Sequence, residues 1–272
     1  MAFDLNRVHK DIRKLKGFLK SWPKHAMPED VHSLRTTTRR FEAAMQALSL
    51  DSKGNEKRLL RRMSKLRRRA GKVRDLDVLT GYVADLDVSG EDECMVQLLE
   101  YLGAEHADRS QRLYSYAVKH SGSLRRRLDR TASDLKAFSK DIVLASTASG
   151  NAMLSELRIQ RELTAPDRFT KANLHPYRLQ VKELRYMLQM EEDPADQQLV
   201  GTLGQVKDAI GEWHDWQELV AIARENLPHG KRCKLIPLLQ KTTQKKLHKA
   251  ISVANAGRRQ IHSSPAATIE SR

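Results

Sequence analysis

Cysteine is nearly absent from this 272-residue chain: Cys94 and Cys233 stand far apart and neither belongs to a CxxC pair. A disulfide framework and a cysteine zinc site are thereby excluded, and a reducing compartment fits. No run approaches the roughly 20 apolar residues of a membrane span, and Met1-Ala-Phe-Asp-Leu-Asn-Arg lacks the apolar core of a secretory signal. A soluble, cytoplasmic protein without a membrane partner is expected. Aromatic residues make up only 5 % of the chain, which weakens single-strand recognition by base stacking without removing it. The sequence also has no GxxxxGK[ST], GxGxxG or GxSxG motif, no HExxH or HxxH, and no ExExK. P-loop hydrolysis, dinucleotide chemistry, serine hydrolysis and triphosphate-tunnel chemistry are unsupported. Carboxylates do not cluster to hold magnesium, so neither a metal nor a cofactor is expected, and binding is favoured over catalysis.

Positive charge is abundant. Lys plus Arg outnumber Asp plus Glu by 49 to 34, a net +15. Between Lys57 and Arg74 lie ten basic residues and no acidic one. Like charges one turn apart repel by roughly a few tenths of a kcal/mol per pair, so an anionic ligand is expected to offset them. Nucleic acid, anionic membrane and polymeric phosphate all satisfy that requirement.

Apolar residues recur at helical spacing, and strand-like alternation is scarce, so the chain reads as all-α. Leu59, Met63, Leu66, Ala70 and Val73 form one buried stripe, and Lys57, Arg61, Lys65, Arg68 and Lys72 follow the same rhythm on another side. Turn and cap signals predict helices near 3–20, 29–49, 54–87, 91–119, 123–160, 173–191, 196–226 and 230–255, with breaks around Ser146–Gly150 and Pro166. Residues from about Gly257 onward lack periodicity and read as a mobile tail.

A pattern His-x2-Arg-x3-(Arg/Lys) occurs twice, as His32/Arg35/Arg39 and His175/Arg178/Lys182. At about 100° per residue these positions fall at roughly 0°, 300° and 340°, one cationic stripe each. Gly71-x2-Arg74-Asp75 follows the first copy and Gly211-x2-His214-Asp215 the second, so the chain carries an imperfect internal repeat. Pro28, Glu29 and Asp30 before His32, and Asn173 before His175, predict that both histidines sit in a first helical turn, beside unpaired N–H groups. A basic stripe is ordinarily a solvated face, but two copies at matched positions argue for a ligand. Metal ligation by His32 and His175 is disfavoured, because the adjacent arginines repel a cation and assist a phosphate. Trp213 and Trp216 read as core anchors rather than a stacking platform.

These residues resemble the CHAD family, the conserved histidine α-helical domain, over roughly Leu5 to Ile251. The resemblance rests on Val31-His32-x2-Arg35-x3-Arg39-Arg40, on Gly71-x2-Arg74-Asp75-x-Asp77-Val78, on Leu174-His175-x2-Arg178-x3-Lys182-x2-Arg185-Tyr186, and on Ile210-Gly211-x3-Asp215, in that order. It implies two four-helix bundles related by pseudo-two-fold symmetry, with repeats at about 1–120 and 123–256. It also implies binding of inorganic polyphosphate along a basic surface between them, without catalysis, and association with polyphosphate granules. Carried over, His32, Arg35, Arg39, Arg40, His175, Arg178, Lys182 and Arg185 are the expected phosphate ligands, with Lys65 and Arg74 alongside. Arg61, Arg68, Lys72 and His214 complete the expected surface. Two positions depart from the family pattern. Glu42 stands where an arginine is usual, which either weakens the far end of the first ladder or pairs Glu42 with a neighbouring Arg. Pro176 directly follows His175.

Two other readings stand beside this one. A nucleic-acid-binding protein would use the 57–74 helix. A metal-dependent phosphohydrolase would use the His214-Asp215 pair, which is similar to the HD pair of such enzymes but lacks their further His and Asp clusters.

Overall fold

The computed structural model describes residues 5–48, 50–51, 54–87, 92–138, 158–159, 161–164, 166–189, 196–227 and 233–262. It is all-α, with no strand among the described residues. The helices are α1 (Leu5–Lys20), α2 (Pro28–Ala47), α3 (Gly54–Ala84), α4 (Asp92–Phe138), α5 (Lys171–Leu188), α6 (Asp196–Asn226) and α7 (Leu235–His262). None is long and apolar enough to cross a membrane.

The chain forms two compact units. Unit 1 takes α1, α2, α3 as far as Asp77 and α4 from His106; unit 2 takes the remainder of α3 and α4 together with α5, α6 and α7. In unit 1 the predicted stripe of α3 is fully buried: Leu59, Met63, Leu66, Ala70 and Val73 pack with Leu15, Leu34, Phe41, Met45 and Leu128. In unit 2, Leu174, Val181 and Leu184 of α5 meet Leu203, Val206, Ile210 and Trp213 of α6 and Ala250 and Ala254 of α7. Trp213 and Trp216 are both buried, as their helical spacing predicted, and Trp216 stacks on Tyr82 with ring centroids 4.9 Å apart.

Three boundaries differ from the sequence expectation. Helix α4 runs unbroken through Ser121, Gly122 and Ser123, where a break was expected. One glycine costs a helix only about 1 kcal/mol, and Leu113, Ala117, Leu124, Leu128 and Leu135 hold one buried stripe in phase across it. The expected continuation of that helix beyond 138, and the break at Ser146–Gly150, lie outside the described residues. The second difference is at the C-terminus, where α7 continues to His262 and takes in the first part of the expected tail. A Cβ on Gly257 would fall 2.4 Å from Val206 Cγ2, so this glycine is a close-packing point between α7 and α6. The remaining tail, 263–272, lies outside the described residues.

The third difference concerns the two histidines. His32 and His175 are each the fifth residue of their helix, one position past the first turn. Val31 N–H already bonds back to Met27 O, and Leu174 N–H to Thr170 O, so the unpaired N–H groups end before either histidine. Asn173 is not the cap: its Oδ1 accepts from the Thr170 N–H at 2.8 Å, the backward half of a capping box. Pro176 therefore lies inside α5, past the first turn in which it was expected. A helix-dipole contribution at the imidazoles loses its main support, and the charge of the ladder side chains is what remains.

Candidate anion-binding site

Three consecutive threonines separate the first two cationic rungs of α2. Thr36, Thr37 and Thr38 hydroxyls donate to the carbonyls of His32, Ser33 and Leu34, four residues back. Thr37 and Thr38 are fully buried, so this internal bonding satisfies hydroxyls that would otherwise be stranded. The same turn leaves His32 exposed and Arg35 and Arg39 half-buried.

Arg35 lies over Gly71 of α3, with its Nε 3.7 Å from where a Cβ would stand, and its Nη1 is 3.8 Å from Asp75 Oδ1. Asp77 of the same helix accepts from His106 Nε2 at 3.0 Å. The Gly71–Asp77 segment thus supplies a seat for the ladder arginine, a counter-charge for it, and an anchor for α4. One heptad further along α2, Glu42 accepts from Arg67 Nε at 2.7 Å, and Arg67 Nη2 also reaches Ser64 Oγ at 3.4 Å. Glu42 therefore pairs with a neighbouring arginine. Burial raises its carboxyl pKa despite the opposing charges of Arg67, Arg39 and Arg68.

Unit 2 repeats this register with different occupants. Arg178 lies over Gly211 of α6, where a Cβ would fall 2.5 Å from its Nη2, and Arg178 Nε donates to Lys207 O at 3.1 Å. One heptad on along α5 and one heptad back along α6, Arg185 lies over Gly204, its Nε 3.6 Å from a would-be Cβ. Two arginines of α5 thus rest on two glycines of an antiparallel neighbour. Glycine permits this approach because it presents no side chain. Arg185 Nε is buried and makes no hydrogen bond. The His175 and His214 rings lie 5.3 Å apart between centroids, and His214 Nδ1 is 4.0 Å from Asp215 Oδ1. Glu212, beside Gly211, bonds Lys246 and Lys249 of α7. Burial pushes its pKa up, but those two lysines hold it below the ordinary value, so the carboxylate stays engaged with α7.

The expected ligands are therefore not equivalent. His175, Arg178, Arg185 and His214 gather along α5 and α6 in unit 2, while His32, Arg35 and Arg39 line α2 in unit 1. Lys182 is only 8 % exposed and is the least accessible rung. Arg40 turns the other way: its Nε and Nη2 donate to both carboxylate oxygens of Asp11 at 3.1 and 2.8 Å, tying α2 to α1. At about 80° from His32 on the helical wheel, Arg40 leaves the stripe that Arg35 and Arg39 continue. On α3, Arg61, Lys65, Arg68 and Lys72 are exposed and Arg74 is half-buried. The sequence marks Gly71 and Gly211 as features that follow each ladder, without a role, and Gly204 does not stand out in it; spacing at 204 and 211 opposite 185 and 178 was the available signal.

The sequence matches the CHAD domain family over residues 6–224. The chain belongs to the CHAD family. Its fold is similar to the crystal structure of the CHAD domain from the plant Ricinus communis, with a TM-score of 0.70, 18 % identity, and coverage of 96 % of this chain and 89 % of that one. It is also similar to PptA from Streptomyces chartreusis, with a TM-score of 0.58, 16 % identity, and coverage of 94 % and 95 %. Comparison with curated proteins finds no match. These likenesses establish the CHAD fold, and the chemistry must be argued from the side chains. Among the described residues of this CHAD domain, no three His, Cys, Asp or Glu side chains group as a metal site.

Proposed function

We propose that this CHAD domain binds inorganic polyphosphate through its helical ladders, without hydrolysing it, and that granule association in the cytoplasm belongs to the same role. The carrying observation is the pair of arginines, Arg178 and Arg185, laid over Gly211 and Gly204 beside the His175–His214 pair. A linear polyanion offers phosphate oxygens at regular spacing and no bases, so it calls for repeated guanidinium groups and no stacking platform. The paired Arg-on-Gly register in unit 1 and unit 2 supports an internal duplication, with Glu42 replacing the second arginine in unit 1.

Calorimetric titration with long-chain polyphosphate at near-physiological salt, in parallel with single-stranded RNA of matched charge, tests this reading. Sub-micromolar polyphosphate affinity with much weaker RNA binding is expected. Equal or reversed preference would assign the basic face of α3 to nucleic acid, for which its exposed Arg61, Lys65, Arg68 and Lys72 are the feature in favour. Salt dependence alone would not separate the two, since both ligands release counterions. Phosphate next to an imidazole favours its charged form, so affinity at fixed ionic strength should rise as pH falls from about 8 to 6. A flat profile removes the histidines from the site. Arg35→Ala with Arg178→Ala tests coupling: additive losses identify independent ladders, and strong coupling one ligand chain engaging both.

A further inference from the structure

Unit 1 contains a second basic concavity, on the α4 side of α3. Helices α3 and α4 enclose a groove of about 710 Å³ to which α3 contributes Arg68, Arg69 and Lys72 and α4 contributes Arg109, Arg112 and Lys119. None of its lining residues is acidic among the described residues; the others are Gln111, Ser115, Tyr116 and His120. On α3, Arg69 points about 160° away from Gly71, the seat of Arg35, so the groove and the ladder flank opposite edges of the basic face. Asp108 bonds Arg112 Nε at 2.9 Å and lies 3.9 Å from Arg109 Nε, and Glu42 is within reach of the Arg68 charge.

We propose that this α3–α4 groove is a second anion site, binding a short linear phosphate chain of the tripolyphosphate class in its own right, independently of the ladders. The argument has three parts. Arg109, Arg112 and Lys119 extend over about 15 Å of α4, so one phosphate reaches only some of the cations and a short chain reaches both ends. The groove's aromatic ring is already occupied: Arg69 lies 4.2 Å from the Tyr116 centroid and His120 4.4 Å, which leaves no open platform for a nucleobase. The cations are also set close enough to act on one another. Burial, followed by the charges of Arg62, Lys119, Arg69 and Lys65, holds the His120 imidazole below its ordinary pKa. An anion in the groove reverses that balance.

The test is titration of the full chain with sodium tripolyphosphate at near-physiological salt, following the His120 ring resonances by NMR and total heat by calorimetry. Three forms are compared: wild type, Arg35→Ala/Arg178→Ala, and Arg112→Ala/Lys119→Ala, whose two exposed positions are not part of the core. The His120 signals should move, and its pKa should rise, in the wild type and in the Arg35→Ala/Arg178→Ala form alike. Arg112→Ala/Lys119→Ala should weaken the affinity read at His120 by at least about tenfold, and Lys119→Glu should weaken it again. The site is overturned if His120 stays unmoved at saturating tripolyphosphate, or if the groove variant binds as tightly as wild type. Tighter binding of ADP than of tripolyphosphate at His120 would also overturn it, since the ligand would then be a nucleotide. Long-chain polyphosphate titrated into Arg35→Ala/Arg178→Ala reads the ladders separately: unchanged affinity there would sink the ladder proposal and leave the groove standing.

Discussion

Arg35 in unit 1 and Arg178 in unit 2 each lie over a glycine of an antiparallel helix, yet their surroundings differ. Arg35 has Asp75 at 3.8 Å, and the next rung of its ladder is Glu42, engaged with Arg67. Arg178 is held by a backbone carbonyl, and the next rung is a second arginine over a second glycine, with two imidazoles nearby. One register thus carries an arginine followed by a Glu42–Arg67 pair in unit 1 and two arginines over two glycines in unit 2.

The largest expected effect follows directly. Arg178→Ala should lower polyphosphate affinity by about 10- to 100-fold, and Arg35→Ala by only a few-fold, because the ladder of Arg35 continues with Glu42 where that of Arg178 continues with a second arginine. Calorimetry on both variants checks this, and equal losses would break the distinction between the units.

Next in size is the pair of seats. Gly211→Ala puts a methyl group 2.5 Å from Arg178 Nη2 and 3.1 Å from its Nε, so the guanidinium must move. The far end of a flexible side chain moves cheaply, and alanine is a better helix former than glycine by about 1 kcal/mol. Affinity should therefore fall about tenfold while thermal stability holds. Gly71→Ala meets Arg35 only at 3.7 Å, an ordinary contact, and should leave affinity within about two-fold and raise the melting temperature slightly. Titration and a thermal melt on each variant separate a seat from a mere helix position.

Arg40 sharpens the comparison inside unit 1. Arg40→Ala should cost about 1–2 kcal/mol of stability by stripping the largely buried Asp11 of its bidentate partner, with little change in polyphosphate affinity. A chemical denaturation curve alongside a titration distinguishes this from a ligand role, in which the affinity would fall instead.

The smallest effect concerns Glu42. Burial raises its folded-state pKa, so between the ordinary carboxylate value and the raised one the folded state binds more protons than the unfolded state. Stability should therefore fall as pH rises through that window, and Glu42→Gln should flatten the slope there. An unchanged slope in stability measured across acidic pH would show that Arg67 fully compensates the burial.

Much of the fold was legible because helical periodicity is local. The stripe from Leu59 to Val73 named a buried face of α3, and it is one of the most completely buried surfaces of unit 1. The tail expected from Gly257 failed for an equally definite reason. Its six residues to His262 gain their helical state from packing on α6 and on the segment before α5, through Gly257 against Val206 and Arg258 over Phe169, contacts between residues distant in sequence. Likewise Gly122 looked like a breaker, and the buried stripe on both sides of it carries the helix through. The site shows the same division. His32, Arg35, His175 and Arg178 stand out by spacing alone, whereas Arg40 carries the same charge and lies one residue from Arg39, yet bonds to Asp11.

The sequence by itself determined an all-α CHAD domain with strong positive charge, a core face and a basic face on one long helix, and two matched His/Arg ladders. Only the tertiary structure decided what stands beside each cation. It set Arg178 and Arg185 on Gly211 and Gly204, turned Arg40 to Asp11 and Arg67 to Glu42, and brought α4 alongside α3 to make a second basic groove. The physical reason is that helical period depends on neighbours a few residues away, while the state of a charge depends on what another helix places beside it.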